Sequence, residues 1–112
     1  MNGINEDHQY KDLDRIEYDD DTLIFLRKKL DEFTINIFKM IFEHNKQHRG
    51  LVKTRLNNYL RMRKRYDNAF LILESQGFIE RKEDGTSTPY FLTVRGRQLM
   101  VLLKSEEIER EE

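Results

Sequence analysis

The chain has 112 residues, 38% hydrophobic and 37% charged, with a formal net charge of −1 and no cysteine. That length supports one core and one domain, and the lack of cysteine excludes disulfides, thiolate metal sites and cysteine nucleophiles, in keeping with a reducing compartment. The near-neutral total conceals segregation: residues 1–21 sum to −6, residues 105–112 to −4 and residues 22–104 to +9, with eight Lys and Arg and no acid between 44 and 66, a pattern that fits an anionic partner or, equally, a solvated helical face.

Residues 1–19 lack hydrophobic periodicity and are expected to form an acidic flexible arm, mobile or loosely docked. They have no apolar run like that of a signal peptide, and no later stretch is long and apolar enough for a bilayer, so a cytoplasmic location is expected. Asp20, Asp21 and Thr22 offer N-caps for a helix in which Leu23, Leu26, Leu30, Phe33, Ile37 and Met40 recur at intervals of three and four. Ile35, Phe38 and Phe42 widen that stripe, so residues 32–45 are expected to be a buried core helix and residues 22–31 a narrower seam for a neighbour, such as a second subunit. Gly50 is the expected left-handed cap. A short helix then sets Leu51, Val52, Leu56 and Leu60 on its inner side.

The stretch NYLRMRKRYDN, residues 58–68, opens the next helix, expected over about 61–76. At about 100° per residue, Met62, Tyr66, Ala69, Phe70 and Leu73 fall on one side, while Arg61, Lys64, Asp67, Asn68 and Leu71 lie opposite and Arg65 on the flank. Gly77 ends the helix. Residues 78–82 and 90–93 read as two short strands around EDGTSTP, whose Asp-Gly pair is a hairpin signal. Thr93 is placed to cap a last helix through VRGRQLMVLLKSEEIE, with Leu99, Leu102 and Leu103 on its apolar side, although Gly96 sits in the first turn. Residues 105–112 are expected to be an acidic C-terminal tail.

Leu73, Gly77, Phe78 and Ile79 form Leu-x-x-x-Gly-aromatic-Ile, and Tyr90, Leu92, Thr93 and Gly96 form Tyr-x-Leu-Thr-x-x-Gly. The stretch that contains them resembles the winged helix-turn-helix of prokaryotic regulators such as the MarR and PadR groups, and is especially similar to small archaeal and archaeal-viral DNA-binding proteins. The resemblance covers about residues 31–104. It implies a mainly α fold with a small β-hairpin (α+β), a winged-helix domain over 20–104 with additional N-terminal and C-terminal helices, a recognition helix at about 61–76 in the major groove, and a wing at 78–93 on backbone or minor groove.

Under that resemblance Arg61, Arg63, Lys64, Asp67 and Asn68 are the base-reading set: arginine suits guanine, asparagine adenine, and a carboxylate accepts from cytosine. Lys46, His48, Arg49, Lys53 and Arg55, with Arg81, Lys82, Thr86 and Ser87 in the wing, are the expected backbone contacts. The expected function is a sequence-specific double-stranded DNA-binding protein, a nucleoid-associated homodimeric regulator paired through residues 22–31, the C-terminal helix, or both. The alternatives are a winged-helix module for a partner protein, or an architectural chromatin protein with little sequence preference. No catalysis is expected, since no nucleophile motif or Gly-rich phosphate loop is present. No metal or cofactor is expected either: His44 and His48 are one turn apart without a third ligand near, and His8 is remote from them.

Overall fold

The computed structural model describes residues 15–83 and 85–111. Most of the expected arm, with His8, lies outside the described residues, as do Asp84 of the hairpin turn and the terminal Glu112. The elements are α1 (Asp20–Arg27), α2 (Glu32–Lys46), a 3-10 turn (Lys53–Arg55), α3 (Arg63–Ser75), β1 (Ile79–Arg81), β2 (Tyr90–Leu92) and α4 (Val94–Glu111). The chain is therefore mainly helical with one small antiparallel hairpin.

The single helix expected from residue 20 to 45 is two. Asp19, not Asp20, Asp21 or Thr22, caps α1, its Oδ1 accepting the Thr22 N–H at 2.7 Å. Asp31 caps α2 in the same way, accepting the Thr34 N–H at 2.8 Å. The break at residues 28–31 escapes periodicity because Leu23, Leu30, Ile37 and Ile41 are all buried in one core, so the apolar spacing runs across it.

α2 packs on α3 and β2, and α4 crosses beside α1 and β2. Phe38, Ile41, Phe70, Leu73, Phe78 and Leu99 form the fully enclosed centre, each at most 1% exposed. In the hairpin, Ile79 pairs with Leu92 and Arg81 with Tyr90. Leu51 adds a third short rung by bridging Tyr90 on the other side of β2.

Three glycines or their neighbours fix how these pieces meet. α3 ends as expected: Gly77 takes φ 81°, its N–H donates to Glu74 O at 3.0 Å and that of Phe78 to Leu73 O at 2.9 Å, which satisfies the last carbonyls. α2 ends in the same pattern, but His48 takes the left-handed conformation, with φ 62°. Its N–H donates to Asn45 O at 2.9 Å and that of Arg49 to His44 O at 3.0 Å. Gly50 is thus not the cap; a Cβ there would lie 2.4 Å from Pro89 Cβ and 2.8 Å from the Phe91 ring. Gly96, anomalous by sequence, is required because a Cβ would come within 2.2 Å of the Phe78 carbonyl oxygen. Thr93 does cap α4, its Oγ1 accepting the Gly96 N–H at 3.0 Å.

Both acidic ends are held against the rest of the fold. Residues 16–19 are docked: the Tyr18 backbone and the Gln98 side chain exchange two hydrogen bonds of 2.9 Å, and the Tyr18 ring meets Phe78 edge-on. α4 runs on through the acidic residues to Glu111. Glu106 takes the Arg27 guanidinium at 2.8 Å, and Glu107 takes Lys39 at 2.9 Å. The Lys39 hydrogen bond holds the Glu107 carboxyl below the usual range.

Candidate functional site

The basic stretch reaches the surface along a segment pinned at both ends. At its start, Asn45 joins α2 to β2: its Oδ1 accepts the Leu92 N–H at 2.8 Å, and its Nδ2 donates to Arg49 O at 2.8 Å. Sequence reasoning missed this residue, since one Asn in a last helical turn carries no signal of a partner 47 residues away. At its other end the short helix expected after Gly50 is reduced to the 3-10 turn Lys53–Arg55. The 3-10 turn is followed by turns through Met62, and Asn58 takes φ 58°. Leu51 is buried, Val52 and Leu56 are half-buried, and Leu60 points outward at 84% exposure. The Asn57-Asn58 pair was the available signal, since Asn tolerates left-handed turns.

Asp67 gathers this segment onto α3. Its Oδ1 lies 2.9 Å from Lys53 Nζ and accepts the Tyr59 hydroxyl at 2.9 Å, while Arg63 Nε stands 3.6 Å from Oδ2. The hydrogen bond from Lys53 is the main cause that holds the Asp67 carboxyl below the usual range, with Tyr59 adding to it. Burial pulls the Lys53 ammonium down, but the hydrogen bond to Asp67 and the nearby Tyr90 and Asp67 charges outweigh it and leave its pKa raised. Tyr66 completes the pin: its hydroxyl donates to Asn57 O at 2.9 Å, and its ring stacks on Tyr59 and tilts against Phe33. Asp67 and Lys53, expected as a base reader and a phosphate contact, are thus turned toward one another.

The other expected base readers are placed differently. Arg61 lies in the turn before α3, which starts at Arg63. Arg61, Lys64 and Asn68 are exposed, and their side chains take no partner among the described residues. Lys64 and Asn68 stand one turn apart on α3. Arg63 is 68% exposed, and among the described residues its contact is the long one to Asp67. Arg65 is occupied, its guanidinium 4.0 Å from the centre of the Phe33 ring. Arg61, Arg63 and Lys64 line one open concavity of about 620 Å³ with Leu60, Met62 and Arg65.

The expected backbone contacts form a looser set. Lys46 is exposed, 3.5 Å from Glu43. His48 is exposed in its left-handed turn, and the Arg49 side chain donates to Gln47. Arg55, exposed, takes no side-chain partner among the described residues. In the hairpin Arg81 pairs with Glu74 at 3.0 Å, a hydrogen bond that raises its pKa. Lys82 lies over the Phe91 ring. Thr86 is exposed and Ser87 half-buried. His44 holds the Met40 carbonyl through Nδ1 at 3.0 Å, and among the described residues no group of three or more His, Asp or Glu is placed to hold a metal.

A second surface lies on the far helices. Ile24 on α1 and Val101 on α4 are exposed and line a groove of about 430 Å³ with Leu23 and Leu102. Ile108, 60% exposed, lies two turns beyond Val101 on the same face of α4. Among the described residues no helix is long and apolar enough to cross a membrane. No family model, curated protein or solved structure matches the chain.

Proposed function

We propose that the chain is a winged helix-turn-helix protein that binds double-stranded DNA sequence-specifically as a transcriptional regulator. α2, the 3-10 turn and α3 supply the trihelical part of that reading, the β1–β2 hairpin its wing, and the Leu51 bridge its short third rung. The observation that carries it is the group Arg61, Arg63, Lys64 and Asn68 at the start of α3, exposed on a segment that is otherwise internally bonded. Folding offers no internal use for three of these side chains. Their chemistry suits guanine and adenine edges in the major groove.

In this reading Asp67 is a positioning residue that holds Lys53 and Tyr59. Arg55, Arg49, His48 and Lys46 flank the group as phosphate contacts, with Lys82, Thr86 and Ser87 on the wing side. Lys53 and Arg81 reach phosphate only by leaving their carboxylate partners. The apolar α1–α4 face, with Ile24, Val101 and Ile108 uncovered, suits a second copy of the chain, which would present two recognition helices to successive major grooves.

Selection of bound sequences from random duplexes tests the proposal. Recovery of a two-fold motif supports a dimeric regulator, and recovery without sequence preference favours an architectural role. No recovery at low salt favours a partner protein as the target.

A further inference from the structure

Among the described residues, Leu60 is the most exposed large apolar side chain, at 84%. A lone exposed leucine is ordinary surface, but the setting of this one is not. It lines the same open concavity as Arg61, Arg63, Lys64 and Arg65, far in sequence from the apolar α1–α4 face. Its turn is also held firmly. The Met62 N–H donates to Asn58 O at 2.9 Å and the Tyr59 N–H to Leu56 O at 3.1 Å, while the Tyr66 hydroxyl takes Asn57 O. Leu60 is therefore presented from a fixed turn.

Four cations around the concavity disfavour a cationic or purely apolar partner and suit a polyanion. At the base edges of a duplex major groove, the apolar group on offer is the C5-methyl of thymine. We propose that Leu60 packs on a thymine C5-methyl in the major groove, reading T beside the polar edges read by Arg61, Lys64 and Asn68. The proposal rests on the DNA-binding reading above, and it makes Leu60 a specificity-determining residue rather than part of the core.

The test uses the full chain and a duplex that it selects from a random pool. Each thymine is replaced singly by deoxyuridine, which deletes the methyl and leaves pairing and polar edges intact, and affinity is read by fluorescence anisotropy. One replacement is expected to weaken binding about fourfold, the effect of burying one methyl group. Leu60→Ala is expected to bind the T and U duplexes alike with an unchanged melting temperature, and Leu60→Met to keep the preference for T. The proposal is overturned if no thymine position discriminates, if Leu60→Ala keeps the discrimination, or if it weakens both duplexes equally. Absence of duplex binding by the unaltered chain at low salt sinks the DNA-binding reading and this proposal with it; binding without a Leu60-dependent preference sinks only this one.

Discussion

The acidic end of α4 and the basic start of α3 are both dense in charge, yet they use it in opposite ways. Glu106 and Glu107 are committed to Arg27 and Lys39, so this acidic end ties α4 to α1 and α2. At the start of α3, Asp67 is committed to Lys53, whereas Arg61 and Lys64 are left to solvent. Charge density alone does not identify an interaction surface. The informative quantity is charge left over once internal partners are assigned, and within the basic stretch it falls at Arg55, Arg61 and Lys64 among the described residues.

The sharpest way to break this contrast is to remove the leftover charge. Replacing Arg61, Arg63 and Lys64 together by Ala is expected to lower affinity for the selected duplex by about 100-fold or more at low salt and to relax the preference among sequences, since each base-edge contact is worth about 1–3 kcal/mol. The melting temperature should stay within a few degrees of the parent. A large drop in melting temperature instead would mean that these cations serve the fold. Asn45→Ala should do the reverse: leaving the Leu92 N–H without its acceptor costs about 1–3 kcal/mol of stability, measured by urea unfolding, since a deprived donor loses its full compensation.

Glu106→Gln is expected to cost about 1 kcal/mol, the upper end for surface ion pairs, because the Arg27 contact is two-pronged and largely covered, and to leave duplex affinity unchanged. A marked gain in affinity would instead show the C-terminal acids competing with phosphate. The carboxyls of Asp19, Asp31, Asp67 and Glu107 are all held below their ordinary values. Their contribution is complete above the unfolded pKa values of about 4 and is lost as pH falls through the lower folded ones. Thermal melts across that range should show the fall, and Asp67→Asn should remove part of it; a flat profile would contradict the assigned hydrogen bonds. The smallest effect expected is at Asn68, where Ala should alter preference among sequences more than mean affinity.

Much of this architecture is legible from local chemistry. The α3 core side, with Tyr66, Ala69, Phe70 and Leu73 buried, follows from spacing alone, as do the Gly77 stop, the hairpin and the Thr93 cap. Where reading failed, two elements shared one core or a backbone approach replaced a backbone angle. The α1–α2 break is hidden because both helices feed the same apolar centre, leaving the Asp31 cap as the only local cue. Leu51, Val52, Leu56 and Leu60 happen to fit a helical period, although Leu51 pairs with β2 and Leu60 faces solvent. Gly50 and Gly96 are required by what crosses them, Pro89 with Phe91 and the Phe78 carbonyl. In the candidate site, the outward positions of Lys64 and Asn68 were readable from the helical wheel, whereas Arg61 is exposed in the turn before α3. The capture of Asp67 by Lys53 was not, because it depends on where a turn 14 residues earlier comes to rest.

The central claim is that the leftover cations at the start of α3 meet duplex DNA, and titrating a labelled duplex across salt concentrations tests it most directly. The account predicts tight binding at low salt, with log affinity falling linearly in log salt at a slope of about −0.9 per phosphate contacted. The Arg61, Arg63 and Lys64 triple replacement should weaken binding of the selected duplex and remove its advantage over other sequences. A folded chain that fails to bind duplex at low salt, or whose affinity and sequence preference survive the triple replacement, would contradict it.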